Sequence, residues 1–126
     1  MIGKIKVITN NPLAKENLPK NFELEFVNGD VEKVFIIVRD YIHKGHKLLT
    51  HPLMSSIKPN ETPYRTVMLS KEKLDTMDME SLTIIEESMA SLNKFMKMFK
   101  CPNWTEKIKE DFMFIDYDLI NNLINK

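Results

Sequence analysis

Between residues 22 and 42 the hydrophobic pattern changes its period, and that change limits what the chain can become. Phe22, Leu24 and Phe26 alternate with Glu23 and Glu25, the two-residue repeat of a half-buried strand. Val31, Val34, Phe35, Val38, Tyr41 and Ile42 then recur at three- and four-residue spacing, the repeat of an amphipathic helix. Asn28-Gly29-Asp30 joins the two. Asn-Gly suits a hairpin, but the helical run beyond it makes Asp30 an N-cap instead. A strand that feeds directly into a helix is the unit of α/β folds.

The same alternation extends both ways. Lys4 to Thr9 is rich in β-branched residues and reads as a strand. Asn11 is placed to cap a short helix over 12–18, with Pro12 at the first helical position, where a missing N–H costs nothing. Gly45 suits the C′ position of the 31–43 helix. His46 to Thr50, with Leu48 and Leu49 adjacent, predicts a short central strand buried on both faces. Residues 51–63 form a thirteen-residue connection, and Arg65 to Ser70 a fourth strand whose direction the sequence leaves open. Asp78 caps a long helix to about Phe99. Its stripe of Met79, Leu82, Ile85, Met89, Leu92, Met96 and Phe99 is expected to pack on the sheet, with part of it available to a homodimer interface. Beyond Pro102, Asn103 is a candidate cap, and residues 103–126 form a helical segment of one helix or two. The order β-α-β-α-β-loop-β-α-α predicts an α/β layered sandwich, with a mostly parallel sheet of about four strands flanked by helices.

The 126 residues fit one domain able to bury a core. Lys+Arg and Asp+Glu stand at 18 each, so no net field draws the chain to nucleic acid or to a membrane. No signal-like start or membrane-length apolar run is visible, and a cytoplasmic location is expected. The single cysteine, Cys101, allows no intrachain disulfide and reads as packing. Glycines 3, 29 and 45 are isolated, and no Gly-x-Ser-x-Gly elbow occurs. These features argue against ATP- and dinucleotide-dependent enzymes, and no cofactor is expected.

Chemistry is expected at the carboxyl ends of the strands, where open sheets bind ligands. Thr9, Asn10, Asn11, Thr50 and His51 converge there, with Lys58 and Arg65 reaching over from a basic, proline-stiffened loop. Such a set suits a small anion: a carboxylate, a phosphate or an acyl phosphate. The plain alternative is that Thr9, Asn10 and Asn11 only cap a helix. All three histidines fall between residues 43 and 51, which invites a metal. An extended 46–50 segment, rising about 3.3 Å per residue, would hold His46 and His51 too far apart to share an ion. His51 is the candidate acid/base, with Glu61 as its partner; the alternative is a histidine bonded to loop backbone.

Thr9-Asn10-Asn11-Pro12, the run from His43 to Leu53, the run from Lys58 to Tyr64 and the helix from Ser81 to Glu87 resemble GrdX proteins, across most of residues 4–95. The last 25 residues carry no recognised motif. The resemblance implies a single GrdX-like α/β domain over 1–126. It also implies a link with the glycine, sarcosine and betaine reductase systems of amino-acid-fermenting anaerobes. Those systems act through a selenoprotein and release acetyl phosphate, and GrdX is not among their catalytic components. Three functions follow as expectations: an accessory protein that binds a small anion, a small hydrolase or transferase using His51 and Glu61, and a non-catalytic module that docks a reductase component.

Overall fold

The computed structural model describes residues 5–54, 62–99 and 103–124. Three strands and four helices follow in the order β1 (Ile5–Thr9), α1 (Pro12–Asn17), β2 (Glu23–Phe26), α2 (Val31–His43), β3 (Thr66–Ser70), α3 (Met79–Met98) and α4 (Glu106–Ile124). The sheet order is β2-β1-β3. β1 pairs parallel with β2, and antiparallel with β3 in a register that sets Thr9 opposite Thr66.

Helices cover both faces of the sheet. Ile8, Val67 and Leu69 point to one side and join Val34, Phe35, Val38, Ile42, Ile85 and Leu92 of α2 and α3. Val7 and Met68 point to the other and meet Ala14, Leu18, Phe22 and Ile120. β1 is thus covered on both faces, as a central strand should be. Its Lys6 is tolerated because its ammonium meets Glu23 at 3.3 Å and lies 4.4 Å from the centre of the Tyr41 ring.

The α/β layering matches the expectation from sequence; the sheet does not. It has three strands and is mixed rather than four-stranded and mostly parallel. Residues 46–50, expected as a central strand, make a single antiparallel bridge from Leu48 to Leu69 at the sheet's margin. Two backbone bonds of 2.8 Å continue the pairing, Leu49 N to Met68 O and Ser70 N to Lys47 O. Then the Thr50 hydroxyl takes the Met68 N–H at 3.0 Å and the ladder stops. Leu49 is 47 % exposed, so the adjacent leucines did not signal burial on both faces.

The caps are local and follow the sequence. Asn11, Asp30 and Asp78 each accept a backbone N–H in the first turn of α1, α2 and α3. Gly45, at φ 110°, ends α2 as expected of C′. Residues 106–124 form one helix, and its cap is Thr105 rather than Asn103, because the Thr105 hydroxyl accepts from Ile108 N at 3.2 Å.

Candidate functional site

The antiparallel pairing of β1 and β3 brings the end of one to the start of the other. Thr9 and Thr66 meet there, hydroxyl to hydroxyl, at 2.7 Å. The Thr66 hydroxyl donates to Asp116 Oδ2 at 2.6 Å, so Thr9 must be the donor of the first bond. Asp116 also accepts from Thr66 N at 3.1 Å and from Asn11 Nδ2 at 2.9 Å. Asn11 reaches Met113 O with the same amide group and caps α1 through Oδ1. One buried carboxylate of α4 therefore fastens that helix to β1, β3 and α1. Burial pushes the Asp116 carboxyl above its ordinary pKa, against the Thr66 and Asn11 hydrogen bonds and the charge of Arg65.

Asn10 makes a second knot. Its Nδ2 donates to Gly29 O and to Pro63 O, both at 3.0 Å, and its Oδ1 accepts from Arg65 N at 2.9 Å. One side chain thus joins the end of β1, the β2–α2 turn and the approach to β3.

Arg65 is the exception in this saturated region. It is 6 % exposed, and among the described residues its guanidinium has a partner at Nη1 alone, Met54 O at 3.2 Å. Nε and Nη2 are buried and have no partner among the described residues. Those two nitrogens form one edge of the guanidinium, the edge that grips a carboxylate or phosphate with two parallel bonds. Burial lowers the Arg65 pKa, and the Asp116 charge opposes the effect.

Of the residues nominated from sequence, Thr9, Asn10, Asn11 and Arg65 come together. The first three are occupied by internal hydrogen bonds, but only Asn11 caps a helix; Thr9 and Asn10 tie the end of β1 to β3, to the β2–α2 turn and to the approach to β3. Thr50 sits on the flank of β3. His51 is exposed in a turn, and its Nδ1 accepts from Leu53 N at 3.1 Å. Lys58 and Glu61 lie outside the described residues. His46 is bonded through Nδ1 to Ser70 O at 2.7 Å, across its own strand margin. No set of His, Cys, Asp and Glu side chains able to hold a metal occurs among the described residues.

Asp116 and Thr66 were not nominated. The available signal was an acid at the centre of an apolar stripe: Phe112, Asp116 and Ile120 fall four residues apart on one face of α4.

A cleft of about 450 Å³ opens beside Asn10, at the carboxyl ends of β1 and β2. The start of α2 forms one wall with Asp30 and Glu32. Pro63 and Tyr64 form another, Leu92 and Met96 of α3 the back, and Trp104 and Lys109 close it from the start of α4. Arg65 is not among its lining residues. Burial and the neighbouring charge of Glu106 both raise the pKa of the Tyr64 phenol. Among the described residues no helix is long and apolar enough to cross a membrane.

A family model described as GrdX-like protein matches residues 6–125. No curated protein and no solved structure matches the chain.

Proposed function

Because the chain belongs to the GrdX-like family, we propose that it serves the glycine, sarcosine and betaine reductase systems as an accessory protein that binds a small anion at the sheet's carboxyl edge. One observation carries this reading: the buried Nε–Nη2 edge of Arg65 has no protein partner among the described residues. Leaving buried donors unpaired costs about 1–3 kcal/mol each, more on a charged group, and a native fold retains that cost only where something else returns it. A carboxylate, a phosphate or an acyl phosphate has two oxygens at the spacing this edge accepts. The anion is placed at Arg65 rather than in the adjacent cleft, whose charged lining is mainly acidic.

Thermal unfolding with acetate, glycine, phosphate and acetyl phosphate tests the reading. At least one of them raises Tm at millimolar concentration in the wild type and not in Arg65→Met. No shift with any of the four sinks the proposal.

A second reading is favoured by α4. Phe114 and Ile115 are 60 % and 52 % exposed on the helix that Asp116 fastens to the sheet. Adjacent exposed apolar side chains on a well-anchored helix suit docking to a reductase component. In that case Phe114→Ser with Ile115→Ser abolishes co-purification with a reductase subunit while Tm stays unchanged. Undiminished co-purification excludes this face as the contact.

A further inference from the structure

The cleft beside Asn10 carries a chemistry of its own, separate from the anion at Arg65. Its volume of about 450 Å³ lies within the range of small-molecule sites, and it opens where open sheets place ligands. Two of its walls are aromatic, Tyr64 and Trp104, and its back is apolar, Leu92 and Met96. Its acids are Asp30 and Glu32, and neither has a cationic side chain within 4 Å among the described residues. The single lysine of the lining, Lys109, is already offset by Glu106 at 3.9 Å. The charged lining residues left without an ionic partner among the described residues are thus the two acids, Asp30 also accepting from Lys33 N at the start of α2.

The two carboxylates already occupy the start of α2, whose N–H groups would otherwise favour a small anion. A neutral apolar molecule would fill the volume but make no use of the two acids that line it. A positively charged group with apolar substituents satisfies both kinds of wall: the aromatic faces attract it through their quadrupoles, and the carboxylates supply the counter-charge. We propose that this cleft binds an organic ammonium group, held against Trp104 and Tyr64 and neutralised by Asp30 and Glu32.

Trp104 is the only tryptophan of the chain, so its fluorescence reports on this cleft alone. The test titrates the protein with choline, with tetramethylammonium and with 3,3-dimethylbutan-1-ol, the uncharged analogue of choline. The expected result is a saturable fluorescence change with at least one of the two cations in the millimolar range, at least about tenfold weaker with the alcohol. The double variant Asp30→Asn with Glu32→Gln keeps a side-chain oxygen to cap α2, because asparagine caps as well as aspartate. It weakens the cation response by about tenfold and leaves the circular dichroism spectrum unchanged. Equal binding of cation and alcohol overturns the proposal, as does a failure of both cations to saturate. So does a folded double variant that binds the cation as the wild type does.

Discussion

Thr66 Oγ1 donates to Asp116 Oδ2 across 2.6 Å, tying the first residue of β3 to the middle of the last helix. Thr66 N and Asn11 Nδ2 complete the set of donors on the same carboxylate. Asp116→Ala leaves these buried donors without an acceptor and Arg65 without its nearby negative charge. The loss is expected to be about 3 kcal/mol, from the cost of orphaned buried donors and of an uncompensated charge. Urea denaturation measures it. A loss below about 1 kcal/mol means that water replaces the carboxylate and that α4 is held mainly by its apolar contacts.

The same carboxylate gives the stability a sign in pH. Burial raises the pKa of Asp116 in the native state, so the folded chain keeps that proton to higher pH than the unfolded chain does. Its contribution is complete below the unfolded carboxylate value of about 3.9 and is lost as pH rises through the native value. Urea unfolding measured from pH 4 upward should therefore show this component declining in the wild type. In Asp116→Asn it should be absent. Parallel profiles for the two proteins contradict the assignment.

Arg65→Met separates structure from binding. Methionine fills much of the arginine's volume and brings no charge to bury. Replacing a buried ion pair as a whole with apolar side chains is often neutral or stabilising, but removing one charge leaves its neighbour, here Asp116, without a compensating charge. The variant is expected to melt a few degrees below the wild type in anion-free buffer, because Asp116 loses a neighbouring positive charge, and to lose any response to anions. A fall in Tm of many degrees means that the guanidinium serves the fold through its Met54 contact instead.

Gly45 tests the join between α2 and the margin of β3. At φ +110° an L residue is strained, and a Cβ there would stand 2.6 Å from Leu74 O. Gly45→Ala is expected to cost at least about 1–3 kcal/mol, the penalty of a strained backbone conformation, before the clash is counted. Loss of Tm without loss of anion or cation binding would place the effect in the fold. An unchanged Tm contradicts the geometry of this turn.

What the sequence made legible was what neighbouring residues decide. The switch of period at residues 28–30 located β2 and α2, and Asn11, Asp30 and Asp78 cap as read, because a cap acts within three residues. The fate of residues 46–50 was not local. Whether Leu48-Leu49 lies at the centre or the margin depends on which strand takes the place beside β1, and β3, 57 residues from Thr9 at Thr66, takes it. The site divides in the same way. Thr9, Asn10, Asn11 and Arg65 were found from their place at strand ends. Asp116 lies 105 residues from the Asn11 it holds, and no local pattern links the two. Trp104 and Tyr64 are 40 residues apart, and only the tertiary packing brings them to one cleft.

If the Nε–Nη2 edge of Arg65, unpartnered among the described residues, takes an anion, its side-chain Nε–H reports the event. The chain has two arginines, and Arg39 is a partly exposed residue of α2 paired with Glu86 at 3.3 Å, which supplies an internal control. In ¹⁵N-resolved NMR spectra, titration with acetate, phosphate or acetyl phosphate should move the Arg65 Nε–H signal saturably downfield and slow its exchange with water, while the Arg39 signal stays in place. An Arg65 signal that does not move with any of the three, or that moves only in step with Arg39, contradicts the account.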